Sequence, residues 1–381
     1  MNILIVTEYF PRSADCEVRG GVEARSFYIA RELVKRHRVR VLCTREPGEP
    51  VEEDVAGISV RRCGPERPYM QGGGLPGRVA FLRAAIEAAR GTDADVIDGH
   101  NFLAYVIASR ISHARNIARV ATYHDVWLGE WTKHLGLVSG VVGEVAERYV
   151  LAQRWDRIIA NSEATRQKLL AVGARTPGID VIYNGIALDE FTRIQAPKFE
   201  RPTICYVGRL VRYKRVDDLL HAVAALRETI PALMLQIVGS GPEADSLREL
   251  ARKLGLERHV EFLGFVPKHR DVLEVMTRSH VLCLPSAVEG FGMAVIEAMA
   301  CGTPVVASSL APIREVTREG QGAVLFPTGD VPRLTAALQS LLTDPALHAR
   351  LVTQARALAA DYDWQPLAAK VEGVYEAVLR R

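Results

Sequence analysis

An alternation of short apolar runs with longer runs of helical period fills this chain, and it starts twice. In the first half NILIVT (2–7) leads into EARSFYIARELVKRH (23–37) and then RVRVLCT (38–44). VAFLRAAIEAAR (79–90) and ATRQKLLAVG (164–173) read as helices. DADVIDGHN (93–101), ARVATYHD (118–125), WDRIIANS (155–162) and DVIYN (180–184) read as strands. A polar segment, RIQAPKFERP (193–202), interrupts the pattern, and TICYVG (203–208) begins it again. The strands LMLQIVG (233–239), VEFLG (260–264), HVLCLP (280–285) and PVVAS (304–308) follow, each separated from the next by a helical run. Strands that alternate with helices pair in parallel, because each helix carries the chain back across a sheet face. The expected fold class is α/β, with two β/α domains of similar size. They are placed at residues 1–190 and 191–365, and a last helix at 366–381 follows a Trp364–Pro366 break.

Composition excludes several functions. Of 381 residues, 48% are hydrophobic and 24% charged, as in an ordinary globular chain. Residues 1–190 hold 25 Lys+Arg against 24 Asp+Glu, and residues 191–381 hold 23 against 21, so the net +3 splits as +1 and +2. Neither half has the basic excess of a nucleic-acid binder. One basic run, KRHRVR (35–40), has two readings: a solvated helix end, or a patch for peripheral contact with anionic lipid at the inner face of a membrane. The six cysteines form no CxxC pair, and Cys43, Cys205 and Cys283 lie in apolar strands. A reduced, cytoplasmic interior and no zinc site are therefore expected. MNILIVTEYF lacks a basic leader and reads as a first strand. No run approaches the roughly 18 apolar residues that cross a bilayer. Three successive glycines make GGGLPGR (72–78) the most mobile-looking loop.

Open α/β sheets bind ligands at the carboxyl ends of their strands, and the polar residues worth noting fall there. GGVEARS (20–26) puts Gly20 and Gly21 at a helix start, where backbone N–H groups attract phosphate; its plainer reading is a turn. Arg209 and Lys214 follow the strand 203–208 and are spaced to clamp a diphosphate, although such residues are often merely solvated. IVGSGPEA (237–244) matches a dinucleotide fingerprint through Gly239 and Gly241, with Glu261 at the acidic position, but Pro242 removes a donor from the loop. His100 and Asn101 end one strand, and His124 and Asp125 end another, where two histidines could line one site. No further residues stand at metal-ligand spacing. Two Asp-x-Asp triplets, Asp93–Asp95 and Asp361–Asp363, sit at element ends and are discounted as metal motifs. In EGFGMAVIEAM (289–299) Glu289 and Glu297 are eight apart on an otherwise apolar stretch. Gly290 and Gly292 delay the helix. Eight helical residues would rise about 12 Å.

The order GGVE, YHD, NSEATRQKLL, VIYNGI, VGRL with Lys214, VGSGP and EGFGMAVIEAMACGTPVVAS resembles the retaining glycosyltransferases of family 4 over nearly the whole chain. The resemblance implies a GT-B fold, in which two Rossmann-like domains face across a cleft and the last helix returns to the N-terminal domain. It implies transfer of a hexose such as glucose, mannose or N-acetylglucosamine from a UDP- or GDP-sugar to an acceptor hydroxyl. The nucleotide-sugar is then a substrate, and neither a cofactor nor a metal is expected. Carried over by residue, Glu297 meets the ribose and Glu289 the donor sugar. Backbone around Gly290, Phe291, Gly292 and Met293 assists at that sugar. Arg209 and Lys214 hold the diphosphate, Gly20 and Gly21 close on it, His124 lies by the transferred sugar, and Val266 meets the base. His100, Asn101 and Asp125 fall on the acceptor side. Three positions depart from the family pattern. Lys214-Arg215 replaces a frequent Lys-Gly, and Ala311-Pro312 stand where a Gly-Gly-Pro-Glu turn is common, with Glu315 beyond them. Asp98 stands where many members have His or a small residue. A nucleotide-sugar epimerase and a non-catalytic sugar-nucleotide-binding protein use the same fold and remain alternatives.

Overall fold

The computed structural model describes residues 1–13, 19–69 and 75–380. Cys16 and the glycine run at 72–74 lie outside them. The chain divides into two compact units, Met1–Asn184 with Trp364–Arg381, and Gly185–Asp363. The division falls inside VIYNGI rather than at residue 190, because the short helix Leu188–Thr192 packs on helix Met293–Cys301 of the second unit.

The first unit is built on strands β1 (Asn2–Thr7), β2 (Arg38–Thr44), β3 (Glu52–Val55), β4 (Ile58–Cys63), β5 (Val96–His100), β6 (Ala118–Tyr123), β7 (Arg157–Ala160) and β8 (Ile179–Val181). Their order is β3-β4-β2-β1-β5-β6-β7-β8, and only the β3–β4 pairing is antiparallel. β5 is buried along its length, the mark of a central strand covered on both faces. Helix Phe102–Arg115 packs its Ala104, Ile107, Ala108 and Ile111 into the core with Phe81, Tyr105, Tyr123 and Trp155.

Helix Trp364–Leu379 belongs to this unit and packs on helix Gly21–Leu33. Trp364 heads the helix where a break was expected. Pro366 lies in its first turn, where a missing N–H costs nothing. Glu372 pairs with Arg36 and, at 2.6 Å, with His37, while Lys35 pairs with Glu32 at 2.6 Å. The basic run at 35–40 thus has Lys35, Arg36 and His37 each bonded to a carboxylate. Asp93 and Asp95 hold Asn2 at the start of β1 through its side-chain and backbone nitrogens (2.9 and 2.7 Å). In the second unit Asp361 pairs with Arg318.

The second sheet contains β9 (Thr203–Val207), β10 (Met234–Val238), β11 (Val260–Gly264), β12 (Val281–Leu284), β13 (Val305–Ser308) and β14 (Ala323–Phe326), in the order β11-β10-β9-β12-β13-β14 and parallel throughout. Cys43, Cys63, Cys205, Cys283 and Cys301 are free and buried. No helix among the described residues is long and apolar enough to cross a membrane.

Glu147, on helix Leu137–Ala152, is buried and accepts hydrogen bonds from the Trp131 indole (2.6 Å) and from the Trp127 backbone N–H (3.1 Å). Burial nonetheless raises its pKa from 4.5 to about 7. The folded chain therefore holds a proton that the unfolded chain has released. The resulting stabilisation is complete below about pH 4.5 and is lost as pH rises through about 7. Glu147→Gln removes this dependence. The stability difference between variant and wild type should change by on the order of 3 kcal/mol between pH 4.5 and 8, read from paired urea titrations.

Candidate active site

The strand order of the second sheet reverses at β9, which has β10 on one side and β12 on the other. Loops leaving β9 and β12 diverge, and this switch point is where open α/β sheets form a crevice. The loop after β9 carries Arg209, Tyr213 and Lys214, and the loop after β12 carries Ser286 and Glu289. Lys214 Nζ pairs with Glu289 Oε1, which also accepts from Ser286 Oγ at 2.8 Å. The Ala287 N–H donates to the Tyr213 carbonyl at 2.7 Å and so ties the two loops together. Arg209 Nη2 donates to the Tyr213 hydroxyl at 2.5 Å. A lysine and a carboxylate from distant parts of the sequence thus pair, and Arg209 is tied to the same Tyr213 that joins the two loops.

Lys214 ends a single 3-10 turn, Arg212–Lys214, and Arg215 then adopts φ 52° and ψ 41°. This left-handed conformation suits glycine and costs other residues about 1 kcal/mol. Here Arg215 is held by an ion pair with Asp218 (2.5 Å).

Gly239 and Gly241 have a packing role. A Cβ on Gly239 would stand 1.9 Å from the Gly208 carbonyl oxygen, and one on Gly241 would stand 2.2 Å from that of Leu210. The loops after β9 and β10 touch backbone to backbone, with Leu210 N–H donating to the Ser240 carbonyl at 2.9 Å. Glu261 is exposed on β11 and accepts from Gln236 at 3.1 Å, so it lies along a sheet edge pair and completes no dinucleotide fingerprint.

Helix Met293–Cys301 starts after Gly292, whose φ of 100° places it in the left-handed region. Glu289 stands four residues before the helix, and Glu297 is its fifth residue. The continuous helical spacing expected between them is therefore replaced by a loop and little more than one turn. The two carboxylates still belong to one loop–helix unit, but helical rise does not set their separation. Phe291 is buried and packs edge-on against Tyr362 at 6.0 Å, so its side chain serves the core. Ala311 and Pro312 open helix Ala311–Val316, which includes Glu315. Val266 lies two residues beyond β11. His269 Nε2 bonds to Glu297 Oε1 at 3.3 Å.

In the first unit the order reverses between β1 and β5. Gly20 is the N-cap of helix Gly21–Leu33, and Arg19 before it pairs with Glu23 and Glu46 (3.1 and 2.7 Å). His100 ends β5, and its Nδ1 lies 2.8 Å from Ser26 Oγ. Its Nε2 is 3.2 Å from Asp98. Asp98 also accepts from Thr122 (2.8 Å) and from Tyr375 (2.6 Å) on the last helix. Burial would raise the Asp98 carboxyl, but His100 and these hydrogen bonds outweigh it and hold its pKa below the usual value. Asn101 has φ 83°, a strained backbone of the kind that gathers at functional sites. The rings of His100 and His124 are 6.2 Å apart. Burial, followed by the charges of Arg25 and His100, keeps His124 well below its ordinary pKa and hence neutral. Asp125 is engaged by Lys168 at 2.6 Å. Arg25 is fully buried and donates through Nη1 to the carbonyls of Ile182 and Tyr183 (both 2.8 Å) and to Asn184 (3.0 Å), pinning its helix to the end of β8. Burial lowers its pKa to about 10. Sequence reasoning passed over Arg25, Tyr213, His269, Ser286 and Tyr375. For Arg25, the only visible signal was a charge one turn into a helix that starts at Gly21.

Among the described residues, no three His, Cys, Asp or Glu side chains are grouped so as to hold a metal ion. Comparison with known proteins identifies the class. Residues 19–190 match the model of Glycosyltransferase Family 4, and residues 189–358 match that of Glycosyl transferases group 1. The chain belongs to glycosyltransferase family 4 and has the GT-B fold. It is 33% identical to a glycogen synthase of Mycobacterium tuberculosis over 311 residues, covering 79% of this chain and 74% of the relative. It is 31% identical over 372 residues to a phosphatidyl-myo-inositol mannosyltransferase of Mycobacterium leprae, covering 95% and 94%. Among solved structures, sucrose-phosphate synthase of Thermosynechococcus elongatus superposes with a TM-score of 0.84 at 21% identity, over 100% and 99% of the chains. Anabaena HepE in complex with UDP-glucose gives 0.78 at 21%, over 99% and 100%. At these identities the two structures speak for the fold.

Proposed function

We propose that this glycosyltransferase moves a hexose from a UDP- or GDP-sugar to an acceptor hydroxyl with retention of the α configuration. The observation that carries the proposal is the convergence of Arg209, Lys214 and Glu289 at the switch point of the second sheet. Two cations there offset the charge that grows on a leaving diphosphate, a task otherwise suited to a metal ion. Glu289 then receives the hydroxyls of the donor sugar, and Glu297 the ribose. Backbone at Gly290–Met293 approaches the sugar. With both glutamates engaged in binding, no carboxylate serves as a covalent nucleophile. A leaving phosphate oxygen takes the acceptor proton on the same face. In the first unit, neutral His124 together with His100 and Asn101 stands at strand ends as the candidate for the acceptor side. HepE, similar in fold, was solved in complex with UDP-glucose, which supports a nucleotide-sugar here. The carboxylates opposing the 35–40 run weaken its case as a membrane contact.

A donor panel tests this function. UDP, GDP and their common hexose conjugates are each added while the thermal midpoint is followed. One base family should stabilise the protein by about 2.7 kcal/mol at a hundredfold excess over Kd. With that donor alone, slow release of free hexose is expected, without conversion to an epimer. No shift with any nucleotide, or epimerisation without an acceptor, overturns the proposal.

A further inference from the structure

Glu297 is not left to find its orientation when a ligand arrives. His269 is the first residue of helix His269–Arg278, which packs on the helix carrying Glu297. Its Nε2 bonds to Glu297 Oε1 at 3.3 Å, and its ring lies edge-on to Phe191 with centroids 6.4 Å apart. Both side chains keep a little exposure, 19% for His269 and 14% for Glu297, so the pair lies just inside the surface. We propose that His269 is a positioning residue: it holds one oxygen of Glu297 so that the carboxylate presents a fixed edge to the vicinal hydroxyls of the donor's ribose. The inference rests on the nucleotide-sugar reading and deepens it.

The chemistry favours this arrangement. A carboxylate has about four lone-pair directions, so a bond from His269 leaves enough acceptors for two hydroxyl donors. A glutamate free to rotate must be ordered at the moment of binding, and fixing it beforehand removes that cost from the binding step. Burial alone would lower the imidazole's pKa. The hydrogen bond and charge of Glu297, with Glu190 nearby, outweigh it and raise the pKa above the ordinary value, as expected for a group that donates to a carboxylate.

The test separates positioning from folding. Binding of UDP or GDP, whichever stabilises the wild type, is compared with that of its 2′,3′-dideoxy analogue in wild type, His269→Leu and His269→Gln. Leucine fills the space without donating, and glutamine can still donate. The wild type should prefer the ribonucleotide, and His269→Leu should shrink that preference about tenfold while binding the dideoxy analogue as before. His269→Gln should recover most of the preference, and kcat should change less than the donor KM. An undiminished preference in His269→Leu overturns the proposal, as does equal weakening of both ligands. If the wild type binds neither nucleotide, the donor reading itself fails. If it binds one with no preference for the ribonucleotide, only the role given to Glu297 and His269 fails.

Discussion

Lys214→Ala should lower the rate of sugar transfer by about 10²–10³-fold, the loss typical when one preorganised electrostatic group is removed from a transition state. Arg209→Ala should lose a comparable factor. The case rests on placement. Lys214 sits at the end of a single helical turn anchored by the ion pair between Arg215 and Asp218, so its stem leaves the backbone in a fixed direction. Arg209 is braced by the Tyr213 hydroxyl. On the proposed reading, neither cation must be reorganised as the bond to the leaving diphosphate breaks, and that is where preorganised charge acts most strongly. Lys214 also opposes Glu289, so its removal leaves that carboxylate leaning on the neutral Ser286 hydroxyl. The alanine variant should therefore weaken donor binding as well as turnover. Lys214→Arg keeps the charge but changes its shape and should restore only part of the rate. Steady-state kinetics with the donor identified by the panel decide the matter. Near-wild-type turnover in both alanine variants removes Arg209 and Lys214 from the chemistry.

How much of this could be read from the chain varies with how local each feature is. The parallel strands of both sheets other than β4 and β14 followed from apolar runs bounded by turns, and the start of helix Met293–Cys301 followed from the two glycines before it. The β3–β4 hairpin escaped notice because its turn hides its signal. Ala56 and Gly57 both have positive φ (55° and 82°), the requirement of the tight turn that Asn-Gly normally announces, and Ala56 makes no such announcement. Helix Leu137–Ala152 escaped for another reason. Leu137, Val141, Val142, Val145 and Tyr149 are exposed apolar residues on it, so its polar face carries no clear period. In the site, Glu289 and Glu297 were legible as a local pair, but the loop between them was not measurable from spacing alone. Asp98 and Tyr375 are 277 residues apart, and His269 and Glu297 are 28 apart on different helices. Such pairs are made by packing, and no periodicity in one sequence records them.

Trp364→Ala should destabilise the first unit by about 3–5 kcal/mol, the range for deleting a large buried aromatic. Trp364 is 2% exposed and stacks on Tyr28 at 5.6 Å with the rings 11° apart. It is the first residue of the helix whose Tyr375 hydrogen-bonds Asp98. Loss of the indole therefore frees the near end of an element whose far end holds a buried carboxylate. The two effects share one element and should be felt together. Trp364→Phe should cost less than half as much. It keeps an aromatic face against Tyr28, and it removes an indole N–H that is buried without a hydrogen-bond partner. The measurement can be confined to the right unit. All four tryptophans, Trp127, Trp131, Trp155 and Trp364, lie in Met1–Asn184 or Trp364–Arg381, so tryptophan fluorescence during urea unfolding reports on that unit alone. Equal midpoints for wild type and Trp364→Ala would mean that the last helix docks without its aromatic anchor. A midpoint for Trp364→Phe as low as that of the alanine variant would mean that the full indole volume, and not an aromatic face alone, holds the helix in place.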